Sequence, residues 1–224
     1  MKKRSLFLAV AAGLLVLGVG APKSQAGYLD SLLGTTVGYG GLDFTFDTWK
    51  PTGGAPDAAD VAVTFETVGG YVGFTLNGSF GAGANSTSDG YLVYNVSGTQ
   101  ITSALLMGNP ALNPGNTTGL ASVTDTIHGG PNILGPNIAN LYIQNNPPGP
   151  LSDSATFARQ TTITVEKDIE AKGGSTGVSM SAVHQLFDAS PSVSVPEPTS
   201  LGLLGIGLSG LLTLRRFFKR TSVA

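Results

Sequence analysis

The chain has 224 residues, 32 glycines, no cysteine and a formal net charge of −2. The missing thiol excludes disulfides, zinc–thiolate centres, iron–sulfur clusters, lipidation of a cysteine and a cysteine nucleophile. The charge is unevenly placed: from Gly27 to Asp188 only 4 Lys or Arg stand against 13 Asp or Glu, a net of −9 that repels nucleic acid and anionic lipid.

The N-terminus reads as an address. Met1-Lys2-Lys3-Arg4 is followed by the apolar run Leu6 to Gly20, then by a polar stretch ending in Ser24-Gln25-Ala26. That order is a secretory signal peptide over residues 1–26, a signal helix with cleavage expected between Ala26 and Gly27. It implies the Sec translocon and signal peptidase as partners. The apolar run is shorter than the ~20 residues of a comfortable membrane span.

Residues 27–188 form the expected domain. Leu42, Phe44 and Phe46 alternate with Asp43, Thr45 and Asp47, and Val61, Val63 and Phe65 alternate with Ala62, Thr64 and Glu66. Val72, Phe74 and Leu76 make a third set, Leu92, Tyr94 and Val96 a fourth, and Ile163 and Val165 a fifth. Period-two alternation puts one face of each strand in the core and the other in water. Gly53-Gly54, Gly69-Gly70, Asn77-Gly78, Asp89-Gly90 and Gly173-Gly174 are the turn signals between them. Gly69-Gly70 is expected to close a hairpin. The fold class is all-β, an antiparallel β-sandwich, with jelly-roll topology as one arrangement such spacing allows. From Asn109 to Pro150 seven prolines exclude central strands over much of the length, leaving short strands near 121–127 and 141–143. Residues 160–188 read as a last strand pair across Gly173-Gly174.

Residues 189–195 are a Ser/Pro/Val-rich linker. Pro196-Glu197-Pro198 follows, then an apolar helix over 199–214, short for a transmembrane span, and a basic tail at 215–220 with Arg215, Arg216, Lys219 and Arg220. Two prolines keep Glu197 extended and accessible, and the basic residues stop transfer on the cytoplasmic side. This ending resembles the PEP-CTERM sorting signal (residues 196–220). The resemblance implies processing by an exosortase, a membrane-embedded transpeptidase-like enzyme, in a Gram-negative host that makes extracellular polysaccharide. Both ends then place the domain outside the inner membrane, anchored in the periplasm before release to the cell surface or beyond.

The central domain carries few residue patterns that point to chemistry. His128 follows Asp125 closely enough for a triad-type orientation, the alternative being a turn histidine; His184 sits in an alternating run as a surface strand residue. No Gly-x-Ser-x-Gly, His-Glu-x-x-His or P-loop is present. Glu66, Glu166 and Glu170 offer carboxylates without a readable pairing. Asp43, Asp47, Asp57 and Asp60 are Ca²⁺ candidates by residue type only, since their spacing matches no calcium loop. No other cofactor is expected. Trp49 is a core anchor in one reading and a sugar-stacking platform in the other. The function expected is a non-enzymatic surface or extracellular-matrix protein, associated with exopolysaccharide or biofilm and carrying no nucleic-acid partner. The alternative is a carbohydrate-binding module or glycoside-active enzyme delivered by the same tail.

Overall fold

The computed structural model describes residues 26–145 and 149–189. Residues 1–25 of the signal segment, residues 190–195 of the linker, the Pro-Glu-Pro motif with its apolar helix, and the basic residues Arg215, Arg216, Lys219 and Arg220 lie outside the described residues; Ala189, read as the start of the linker, still belongs to a strand. No helix among the described residues is long and apolar enough to cross a membrane.

The strands are β1 (Ala26–Tyr28), β2 (Thr36–Tyr39), β3 (Leu42–Gly53), β4 (Ala62–Val68), β5 (Tyr71–Asn77) and β6 (Thr87–Gly108). They continue as β7 (Ala111–Leu112), β8 (Leu120–Gly129), β9 (Asn137–Gln144), β10 (Ser152–Lys172), β11 (Val178–Ser179) and β12 (Ala182–Ala189). One helical turn, α1 (Leu29–Leu32), follows β1. All pairings between these strands are antiparallel.

The all-β antiparallel class expected from the sequence is observed. In place of two separate sheets, ten strands share one continuous curled sheet, with β7 and β11 as a small second one. The reason lies in β6 and β10, which are 22 and 21 residues long. Their facing halves Thr87–Ser97 and Thr162–Lys172 lie between β3 and β8. The other halves continue past register shifts at Thr156–Thr162, where β6 also pairs with β12. Bulges at such points bend the strands and increase their twist, so one ribbon serves two facing sections.

The inward residues are those the alternation selects. Phe44 of β3 meets Phe65 of β4, Phe74 of β5 and Phe187 of β12 at ring-centroid distances of 5.4, 5.8 and 6.3 Å. Those contacts join one section to the other. Each such side chain contributes roughly 1.5–3 kcal/mol through removal from water. A register shift between Phe46 and Thr48 makes Asp47 an extra residue, and beyond it Trp49 points inward. Trp49 is buried, packs against Phe80 and donates from Nε1 to the Pro56 carbonyl at 3.1 Å, so it is a core anchor and no sugar platform.

Three expectations from the sequence need correction. Asp89-Gly90 is no turn: it lies inside β6, and a Cβ on Gly90 would sit 2.3 Å from the Trp49 ring. Gly173-Gly174 joins no hairpin: β10 pairs with β6 and β8, whereas β12 pairs with β5 and β6. The stretch from Asn109 to Pro150 is more regular than its prolines suggest, because Pro131 and Pro136 sit in the turn between β8 and β9 and spare the strands themselves. The Gly69-Gly70 hairpin between β4 and β5 is present as read.

Candidate functional site

The pleat that buries Phe44 and Phe46 sends the alternate residues of β3, β6, β10 and β8 to the opposite face. There they form two polar rows. Asn95 Nδ2 donates to Asp47 Oδ2 at 2.5 Å, and the Thr164 hydroxyl lies 2.6 Å from Asn95 Oδ1 and 2.9 Å from the Gly130 carbonyl. In the second row Lys50 Nζ stands 5.9 Å from the Tyr91 ring centroid, the Tyr91 hydroxyl donates to Glu166, and Glu166 Oε2 is 2.7 Å from His128 Nε2. Beside the rows lies an open groove of about 300 Å³, lined by Asp47, Lys50, Tyr91, Asn132, Ile133 and Thr164 among others.

His128 is held from both sides. Its Nδ1 lies 3.1 Å from the Gly135 carbonyl, which can only accept. Its Nε2 meets Glu166 on the other side, so both ring nitrogens are engaged. The ring thereby ties the turn after β8 to β10. Burial, then the hydrogen bond and negative charge of Glu166, then the charge of Asp168, push the Tyr91 hydroxyl up to about 12. Tyr91 therefore stays a neutral donor with an aromatic face. Asp47 is raised above the usual carboxylate range by burial.

The sequence candidates fall in different places. Asp125 does not orient His128: they are three residues apart on β8, hence on opposite faces, and Asp125 pairs with Lys167 at 2.6 Å in the core. His128 is also no turn histidine, since it pairs with Thr164 inside β8. His184 Nδ1 contacts Glu66 Oε1 and the Thr75 hydroxyl, each at 2.7 Å, and Thr75 also donates to Glu66. Both His184 contacts fall on Nδ1, and the three side chains join β4, β5 and β12 as a cross-strand brace rather than a nucleophile–base–acid series. Glu170 pairs with Lys172 at the surface. Among the described residues no three His, Asp or Glu converge as metal ligands, so Asp43, Asp47, Asp57 and Asp60 are not brought into one site. Asp43 and Asp47 stay on β3, Asp57 precedes the short 3-10 turn Ala58–Asp60 and Asp60 ends it. Ala26 and Gly27 lie in β1, paired with Thr64 and Val63.

Two features escaped the sequence reading. Asp168 and Asp89 are hydrogen-bonded to each other. That is closer than the ~5 Å or more separating the carboxyls of a glycosidase pair. Asn116 is the other: buried, it donates to the Gly173 and Gly177 carbonyls at 2.6 Å each and accepts from the Thr118 and Gly119 amides. A second open pocket of about 490 Å³, lined by Gly78, Gly81, Asn113, Ser179 and neighbours, contains no titratable side chain.

At the C-terminal end, residues 194–216 match a sequence family described as the PEP-CTERM protein-sorting motif. This is a PEP-CTERM tail. The PEP-CTERM match takes in Pro196-Glu197-Pro198, the apolar run and Arg215-Arg216; Lys219 and Arg220 lie just beyond it. A PEP-CTERM motif implies export, membrane-anchored sorting and processing by an exosortase. It leaves the β domain outside the matched residues. No curated protein matches the chain in sequence. Among solved structures, TmCBM61 in complex with β-1,4-galactotriose is 10% identical with a TM-score of 0.32, over 70% of this chain and 92% of that one. The glycosylation-associated Gap123 complex of Streptococcus agalactiae is 12% identical with a TM-score of 0.30, over 70% of this chain and 27% of that one. The enzymatically active domain of tailspike protein 4 from bacteriophage CBA120 is 14% identical with a TM-score of 0.29, over 62% of this chain and 19% of that one. TM-scores this low fix neither the fold family nor a ligand of this chain.

Proposed function

We propose that the β domain is a non-enzymatic surface or extracellular-matrix module, delivered and processed through its PEP-CTERM tail, that holds a neutral polysaccharide along the outer groove. The observation that supports this reading is the groove itself. An aromatic ring with a cation over it (Tyr91, Lys50), a carboxylate (Asp47) and amide and hydroxyl groups (Asn132, Thr164) line one open channel. Sugar rings are recognised by that combination, an apolar face for the C–H surface and flanking groups that both donate and accept. The domain net of −9 speaks against an acidic polymer unless cations screen it.

The purified exported protein is expected to retain neutral polysaccharides on a glycan array, and Tyr91→Ala is expected to lower that retention about tenfold, the scale of one lost stacking contact. Uniform silence across the array would sink the glycan reading while leaving the sorting assignment in place. A glycoside-active enzyme is the second reading, favoured by the raised carboxyl of Asp47 at the groove. Release of reducing ends from a bound glycan, lost in Asp47→Asn, would decide for it. The sorting step has its own readout: an intact C-terminus through Ala224 in cells that contain the exosortase would overturn it.

A further inference from the structure

We propose that Lys167 and Asp125 condense into an intramolecular isopeptide bond, covalently tying β8 to β10. The two residues are directly opposite in the strand register. Lys167 Nζ stands 2.6 Å from Asp125 Oδ1, and both side chains are fully buried. That contact places the amine about 3–3.5 Å from the carboxyl carbon, the range of a near-attack arrangement. Lys167 has a second partner, Gln185 Oε1 of β12 at 2.9 Å, which accepts one N–H and fixes the amine.

The surroundings favour the reactive forms. Leu92, Tyr94, Val123, Ile127, Val165 and Ile169 share the inward face and are buried. Burial raises the Asp125 carboxyl and lowers the Lys167 ammonium, in each case against the opposing pull of the partner's charge. A neutral amine beside a neutral acid is what condensation requires. Two isolated charges there would each carry a desolvation penalty of several kcal/mol.

The step balances without any co-reactant. The Nζ lone pair attacks Cγ and the N–C bond forms. One C–O bond of the acid breaks, and its hydroxyl leaves with a proton from nitrogen as water. Nothing is oxidised or reduced. Tyr94 carries a buried hydroxyl on the same face, close enough for the Asp125 charge to oppose its ionisation.

The product also eases one part of an anomaly of the core, the buried carboxylate oxygen of Asp125. Asp125 Oδ2, Tyr94 Oη and Gln185 Nε2 are buried without a hydrogen-bond partner among the described residues, each at a cost of about 1–3 kcal/mol. An amide at this point keeps its N–H toward Gln185 Oε1. Its remaining oxygen becomes a neutral carbonyl, far cheaper to bury than half of an ionised carboxylate. An exported domain without cysteine gains in this way a staple that no reductant can open.

The test uses the full chain purified from the exporting cell, denatured, digested and examined by mass spectrometry. The expected result is a branched peptide joining the Asp125 and Lys167 segments, lighter than the sum of its parts by one water. Lys167→Arg is expected to abolish it, because a guanidinium does not acylate under these conditions. Asp125→Asn is expected to give a branched peptide of the same mass as wild type, ammonia leaving in place of water. Recovery of only linear peptides with free Lys167 and free Asp125, from protein whose near-ultraviolet circular dichroism shows it folded, overturns the proposal. That outcome is read on wild type, so it does not depend on whether a variant folds.

Discussion

Strands β8 and β10 are bridged twice by a basic and an acidic residue, once on each side of the same pleat. Asp125–Lys167 faces inward with both side chains at 0% exposure, and His128–Glu166 faces outward at 11% and 25%. The sequence distance between the pairs is trivial, one residue on β10 and three on β8. Their physics is not. Inside, the low dielectric drives both groups toward neutrality and makes any unpaired member costly. Outside, water and a second hydrogen-bond partner share the work, and the pair can be lost without exposing the core. The pleat therefore decides whether one kind of polar contact acts on stability or on the shape of a surface.

The largest effect should come from breaking the inner pair. Lys167→Met leaves Asp125 buried without its partner and is expected to lower unfolding free energy by about 3–5 kcal/mol in denaturant titration. Replacing both partners, Asp125→Leu with Lys167→Met, should recover most of that loss if non-covalent pairing is all that the residues provide. A double variant that stays well below wild type would show that a bond, not an ion pair alone, had been removed.

A smaller effect is expected outside. His128→Ala frees the Gly135 turn and one oxygen of Glu166, which keeps Tyr91, so stability should fall by only about 1 kcal/mol. Limited proteolysis should show faster cutting between β8 and β9 while the core stays protected. Loss comparable to Lys167→Met would erase the contrast between the two faces.

The smallest effect concerns Asp168, also outward on β10. Burial first, then the hydrogen bond and charge of Asp89, then the charge of Glu170, raise it to about 6, with Lys172 pulling the other way. The folded chain then binds more protons than the unfolded one between the ordinary carboxylate range and about 6, so stability falls as pH rises through that window. Asp168 is partly solvated, so the change should be about 1 kcal/mol or less. Asp168→Asn should flatten the slope; a wild-type curve that rises relative to the variant across the window would reverse the sign assigned here.

Much of this was legible before any coordinates. The alternation through Leu42–Phe46, Val61–Phe65 and Val72–Leu76 identified inward residues that are buried, and the Gly69-Gly70 hairpin followed from it. Asp89-Gly90 misled because a glycine in an Asx-Gly dipeptide usually marks a turn, whereas here it makes room for an indole from a neighbouring strand. The inner pair left a readable trace. Lys167 continues the inward phase of Ile163 and Val165, and Asp125 falls on the face of Val123 and Ile127, two charges where period two demands apolar side chains. Their meeting depends on a register set by pairing across the chain, which local pattern does not contain. The groove was hidden for the same reason: Asp47, Tyr91 and Thr164 come from three strands joined only by the sheet.

The place of β12 has a mechanical consequence. It is the last strand among the described residues, and it is flanked by β5 on one side and β6 on the other. A tether attached through the C-terminus pulls along this strand's axis, so the load falls in shear on two ladders of hydrogen bonds at once. An edge strand pulled from its end across the ladder would instead unzip one bond after another. Resistance to forced unfolding follows the height of that barrier, not equilibrium stability. While the sorting segment is anchored, the domain would thus bear tension well at that end.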